Sequence, residues 1–224
     1  MSRILIISTA ADRMGDSGNP TGVWLEELAR PWMKFIDAGH DVTLATLGGR
    51  PVPVDPNSEP GDDEQDLTDF RKAHHETLAA PTALSSVKAE GWDAVFIPGG
   101  HGAMWDLASS EEVATFLAKA WDSGAIVSSV CHGPAALVGV TVDGAPLVKG
   151  RKVNAFTDSE ERGVGLDGVV PFMLETRLRD LGARFEAGPD NEPHAVRDGR
   201  LVTGQNPFSS APVADLVLDA LKEG

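Results

Sequence analysis

Cysteine occurs once in the 224 residues, at Cys131. No disulfide can therefore close within the chain, and no thiolate cluster can build a metal site. Positive charge is scarce too: 19 Lys and Arg stand against 34 Asp and Glu, a formal net charge of −15. That balance excludes the clustered cations that nucleic-acid phosphates require, and it disfavours anionic membrane surfaces. Long apolar runs are missing. The first, Ile4-Leu5-Ile6-Ile7, is too short for a signal peptide or a membrane span, so the expected compartment is cytoplasmic. No Gly-x-Gly-x-x-Gly fingerprint follows that run, so no nucleotide cofactor is expected. No internal repeat, coiled coil or linker divides the chain.

What is present reads as an ordinary globular composition, with 42% hydrophobic and 24% charged residues,. Short apolar runs alternate with longer amphipathic segments, the rhythm of strands and helices around a parallel sheet. The fold class expected is α/β: one doubly wound, mostly parallel, flavodoxin-like sheet with helices on both faces. One domain should span residues 1–224, with a small cap or loop excursion at about 48–80. Strands are expected at 3–8, 42–46, 94–97 and 125–130. A helix is expected over 22–38, where Val23, Leu25, Leu28, Trp32, Phe35 and Ile36 lie near helical spacing, with Gly39 as its left-handed cap,. Residues 48–66 are rich in Pro, Gly, Asp and Glu and read as a loop over the site's mouth, and 69–78 as a short helix within the excursion,. The helix 111–122 should start at Ser109-Ser110, with Ser109 and Glu112 spaced as a capping box,. Small hairpins are expected at 147–155, turned at Lys149-Gly150, and at 195–202, around Asp198-Gly199; helices should fill 171–181 and 211–221.

The segment with chemical content is Val127-Ser128-Ser129-Val130-Cys131-His132-Gly133-Pro134-Ala135. A buried strand ends at Cys131 and a helix-compatible run starts almost at once. Ser129 and Gly133, two residues to either side, are small, as a strained strand-to-helix nucleophile elbow demands. Pro134 suits a first helical turn. A lone cysteine is by default a small buried hydrophobe; in this setting it reads as a nucleophile. A sulfur at a helix N-terminus should have its thiolate favoured and its pKa lowered. Pro98-Gly99-Gly100-His101-Gly102 also follows a buried strand, and its glycines would let backbone N–H groups approach an oxyanion,.

Taken together, residues 94–102, Val130-Cys131-His132-Gly133-Pro134, Phe156-Thr157-Asp158-Ser159-Glu160-Glu161 and Gly22-Val23-Trp24-Leu25-Glu26-Glu27 resemble the ThiJ/PfpI superfamily. The nearest likeness is to its glutathione-independent glyoxalase III branch, whose members are also described as stress-inducible chaperones. The resemblance implies a Cys131–His132–Glu161 triad and a further acid, Glu27, meeting the sulfur. Glu27 matches because it stands five residues after Gly22 and four before Pro31; Glu26 would then point elsewhere. Backbone N–H groups of Gly99, Gly100 and His132 would form the oxyanion cradle. The implied activity is conversion of methylglyoxal, or a related 2-oxoaldehyde, to the 2-hydroxy acid, in the manner of a D-lactate dehydratase. It would proceed through a hemithioacetal on Cys131 and proton transfer by Glu27, without a cofactor. The expected partners are the small 2-oxoaldehyde substrate and a second copy in a homodimer.

Other readings stay open on the residues alone. Glu27 and Glu161 could be solvated glutamates, and His132 could cap a turn. A deglycase, or a Cys-dependent hydrolase or peptidase, would use the same groups. A holdase chaperone would need an exposed apolar surface, and a redox sensor would need only an oxidisable Cys131. His74-His75-Glu76 diverge around a helix, so no metal is expected there.

Overall fold

The computed structural model describes residues 1–223. From its start the chain forms β1 (Arg3–Ile7), α1 (Leu25–Asp37), β2 (Asp41–Thr46), α2 (Gln65–Ala73), α3 (His75–Ala79), β3 (Thr82–Ala83), β4 (Ala94–Ile97), α4 (Glu111–Asp122) and β5 (Ile126–Val130). Beyond the central strands come β6 (Thr141–Val142), β7 (Ala145–Pro146), β8 (Lys152–Val153), α5 (Asp158–Gly163), α6 (Leu174–Asp180), β9 (Arg184–Phe185), β10 (Ala195–Asp198), β11 (Leu201–Gly204) and α7 (Ser210–Glu223).

Seven strands form one sheet in the order β10-β11-β5-β4-β1-β2-β3. Every pairing in it is parallel except that of β10 with β11. This is the α/β, mostly parallel architecture that the rhythm of apolar runs predicts. Continuous apolar strands are needed because both faces are covered. Ile4 and Ile6 of β1 join a core with Leu28 of α1 and Val217 of α7; Leu5 and Ile7 join the opposite core with Leu117 of α4. The alternation of a strand thus feeds two layers of helix. The chain leaves β1 for β2 on one side and later returns to β4 on the other. Their carboxyl ends flank the crevice where open α/β sheets bind ligands.

Several local expectations need revision. The cap of α4 is Ser110, whose hydroxyl accepts the N–H of Val113 at 3.2 Å. Ser109 instead donates its hydroxyl to Trp105 O. No hairpin occupies 147–155: β8 pairs in parallel with the distant β9, and the small hairpin is β6–β7. Parallel partners are distant in sequence, so local turn residues could not reveal this pairing. The hairpin around Asp198-Gly199 is present, and its second strand also extends the main sheet beside β5. The helix expected at 171–181 is shorter, starting at Leu174. Gly39 does take the left-handed conformation after α1, at φ +81°. Among the described residues no helix is long and apolar enough to cross a membrane.

Candidate active site

Two adjacent strands deliver the central groups. β4 runs into Pro98-Gly99-Gly100-His101, and β5 runs into Cys131-His132, with α1 placing Glu27 beside both. Cys131 has φ +57°, a left-handed conformation that a non-glycine residue holds at a cost,. The turn is anchored on both sides: Cys131 N–H donates to Gly204 O, and Phe156 N–H donates to Cys131 O, each at 2.9 Å. A Cβ on Gly133 would come within 2.3 Å of Ile97 O, so the turn closes only over glycine. Gly100, at φ +93°, lets the β4 loop pass against Gly22 and Trp24 at the entry to α1.

The side chains form one buried network. His132 Nδ1 lies 3.3 Å from Cys131 Sγ, and His132 Nε2 lies 2.7 Å from Glu161 Oε2. His101 Nε2 lies 2.9 Å from the other oxygen, Oε1 of Glu161. The His101 and His132 rings stack with centroids 4.0 Å apart, and Phe156 covers His132 at 4.6 Å. On the other side of the sulfur, Glu27 is fully buried. Its Oε2 accepts the N–H of Gly99 at 2.8 Å, while Oε1 receives no nitrogen or oxygen donor.

The environment assigns protonation states. Burial opposes the charge of Glu161, but hydrogen bonds from His101 and His132 prevail and hold its pKa down to about 2,. Burial, with His101 beside it, lowers His132 to about 4, so near neutral pH it is an uncharged imidazole. With a carboxylate at Nε2, the ring proton sits on that nitrogen and the Nδ1 lone pair faces sulfur. Glu27 is pushed up to about 8, chiefly by burial, with the nearby Cys131 thiol and the N–H of Gly99 working the other way. It therefore keeps its proton near neutrality.

For Cys131 the expected direction is reversed. Burial, then the charge and hydrogen bond of Glu27, push the thiol well above its ordinary value, and the N–H of Gly100 offsets them only in part. The helix-terminus argument fails because Gly133–Leu137 is a five-residue 3₁₀ turn and not an α-helix. So short a segment has little dipole to set against desolvation. The cradle changes as well. Gly99 spends its N–H on Glu27 and is not free to meet an oxyanion, whereas the Gly100 N–H is directed at the sulfur.

A cavity of about 250 Å³ opens over Cys131 and His132. Trp24, Phe156, Val164 and Phe208 give it apolar walls, and Asn191 and Asn206 add amides. Glu26 also lines the cavity, while its carboxylate pairs with Arg30 and Glu27 is the glutamate that meets the sulfur, in keeping with the expectation for the two residues. Sequence reasoning passed over His101, which lies 60 positions from its carboxylate partner. The default reading of the acidic group Asp158, Glu160 and Glu161 as surface does not hold for Glu160 and Glu161, which are both buried, Glu161 beside His132. Glu160 completes a capping box with Thr157 and binds Asn206 Nδ2 at 2.8 Å and Asn191 N–H at 3.0 Å. The Thr157-x-x-Glu160 spacing is a signal that could have revealed this.

His101, His132 and Glu161 each have one ligand-type atom within 4.8 Å of the others. Both Glu161 oxygens already accept imidazole N–H groups, so the set is satisfied as a hydrogen-bonded triad,. His74 packs on Trp32 and Phe70, with ring centroids 4.7 and 4.5 Å apart, as part of an aromatic cluster.

The whole chain is similar to known proteins. The chain is 30% identical to the glutathione-independent glyoxalase HSP31 of Saccharomyces cerevisiae, over 98% of this chain and 97% of that one. It is 33% identical to the protein/nucleic acid deglycase HchA of Staphylococcus aureus, over 90% of this chain and 72% of the relative. The crystal structure of glyoxalase III from Candida albicans superposes with a TM-score of 0.86 at 27% identity, covering 98% of this chain and 97% of that one. The DJ-1/PfpI family model matches residues 21–220. The chain belongs to the DJ-1/PfpI family.

Proposed function

We propose that this protein is a glutathione-independent glyoxalase, converting methylglyoxal or a related 2-oxoaldehyde to the 2-hydroxy acid with Cys131 as nucleophile. The observation that carries the reading is the pairing of one buried, proton-bearing carboxyl, Glu27, with the only thiol in the chain. A hydrolase needs a nucleophile and a base. An isomerase needs, in addition, a group that takes a proton from one carbon and returns it to the next.

The steps balance on the groups present. The Cys131 thiol passes its proton to His132 Nδ1 and sulfur adds to the aldehyde carbon, C1, while Glu27 gives its proton to the carbonyl oxygen. The now ionised Glu27 removes the C1 proton, and His132 returns its own to the C2 oxygen, leaving an enediol. Glu27 then protonates C2 as the C1 hydroxyl proton passes to His132, which yields a thioester. Water cleaves the thioester: its proton restores Glu27, and the departing sulfur recovers the proton from His132. Glu161, ionised throughout, stabilises the imidazolium each time it forms. The N–H of Gly100 and the backbone N–H of His132 would support charge on the C1 oxygen. A reducing compartment such as the cytoplasm suits a catalytic lone thiol.

Incubating the purified protein with a panel of 2-oxoaldehydes, with and without glutathione, tests the activity. Formation of the 2-hydroxy acid at a rate independent of glutathione is expected, and lost in Cys131→Ala; a strict glutathione requirement would contradict the reading. A deglycase acting on glycated adducts themselves would consume the adduct faster than free aldehyde dissociates from it.

A further inference from the structure

We infer that Glu26 is a specificity-determining charge gate: its carboxylate at the cavity mouth turns away anionic compounds, confines Cys131 to uncharged 2-oxoaldehydes and helps expel the 2-hydroxycarboxylate product. The substrate part rests on the glyoxalase reading, whereas the discrimination between charged and neutral reagents at Cys131 does not.

The wall composition is the first argument. Glu26 and Cys131 line the same cavity, and no Lys or Arg lines it among the described residues. The other polar side chains facing it are the His101 and His132 imidazoles and the amides of Asn191 and Asn206. A site built to hold a carboxylate ordinarily offers a guanidinium, an ammonium or several free N–H groups. Here the fixed ionisable group at the mouth is itself a carboxyl.

The surroundings of Glu26 are the second argument. Its cationic neighbour is Arg30, with Nε 3.5 Å from Glu26 Oε1, but the same guanidinium also pairs with Asp66. Glu64, ahead of α2, and Asp66, in its first turn, both act on Glu26. Arg30 is therefore shared between two carboxyl groups, Glu26 and Asp66, while Glu64 adds a third negative charge near Glu26, so the surroundings of Glu26 stay acidic. Burial raises the pKa of Glu26 and Arg30 lowers it, so the gate is best measured on the alkaline side of its titration. Glu27 takes a different part, since it is fully buried behind the sulfur and keeps its proton. The two adjacent glutamates thus divide two tasks, Glu27 proton transfer and Glu26 selection.

The test uses the single thiol as its own reporter. Iodoacetamide and iodoacetate both alkylate sulfur by displacing iodide, and they differ chiefly in one negative charge. At pH 7, where Glu27 keeps its proton, and at low salt, the ratio of their rate constants at Cys131 is divided by the same ratio for 2-mercaptoethanol. This normalised ratio cancels any change in thiol pKa, so a purely structural effect on the sulfur does not move it. Wild type should favour iodoacetamide by roughly tenfold, the scale of one partly solvated charge at close range. Glu26→Gln should bring the ratio within about twofold of the free thiol, Glu26→Asp should keep most of the bias, and 1 M salt should weaken it in wild type. A wild-type ratio equal to that of the free thiol would overturn the gate, as would a bias undiminished in Glu26→Gln. Turnover of phenylglyoxal and 4-carboxyphenylglyoxal forms the second arm, with the neutral aldehyde preferred in wild type and the preference narrowed in Glu26→Gln. Alkylation bias that disappears in Glu26→Gln, together with no turnover of either aldehyde, would uphold the gate and overturn the glyoxalase reading.

Discussion

Gly99 donates its backbone N–H to Glu27 Oε2 at 2.8 Å, and a Cβ on Gly99 would stand 2.6 Å from that same oxygen. The glycine both holds the carboxyl and makes room for it. The same hypothetical Cβ would also come 2.7 Å from His132 N and from Val130 O. An alanine there must displace the acid, the elbow, or both.

Gly99→Ala should therefore lower turnover by at least about tenfold and destabilise the fold by about 1–3 kcal/mol, the usual range for overpacking. Steady-state kinetics beside a denaturant melt would separate the two effects. Wild-type turnover in the variant would mean that Glu27 has no need of this position.

The thiol provides a prediction that depends on the corrected direction of its pKa. Alkylation of Cys131 by iodoacetamide, followed against pH, should show a midpoint above the ~8.5 of a free cysteine. Glu27→Gln removes a group that raises the thiol, so its midpoint should move down,. A wild-type midpoint below the free value would restore the helix-dipole expectation.

Stability should record the same acid. Glu27 has a folded pKa of about 8 against an ordinary 4.5, so between these values the folded chain binds more protons than the unfolded one. Its contribution is therefore fully present below pH 4.5 and is lost as pH rises toward 8,. Glu27→Gln should flatten the fall of unfolding free energy across that window, by on the order of a few kcal/mol at its alkaline end. Parallel pH–stability curves for the two proteins would show that the carboxyl is not held in its neutral form.

Much of this site is legible in the chain. The continuous apolar runs before Gly99 and before Cys131 mark strands buried on both faces, and small neighbours at Ser129 and Gly133 mark the tight turn. What escaped depends on distances that local pattern does not carry. Gly99 reads as a free donor until Glu27, 72 positions away, is seen to take its N–H. His101 reads as a loop residue until α5 brings Glu161 to it. The run after Cys131 suits a helix by composition, yet it closes as a 3₁₀ turn, and burial then decides the thiol. The Ser109-x-x-Glu112 spacing favours Ser109 on paper, yet it is Ser110 that caps α4.

The most direct measurement is 2-oxoaldehyde isomerisation by Glu27→Gln, with Cys131 alkylation followed in the same preparation. Glutamine preserves the size of the side chain but cannot carry a proton between C1 and C2. Turnover should fall by roughly 10²–10⁴-fold, the range expected for general acid–base catalysis, while iodoacetamide still modifies Cys131. Turnover near the wild-type rate in a folded, alkylatable Glu27→Gln protein would contradict the account and remove Glu27 from the proton path.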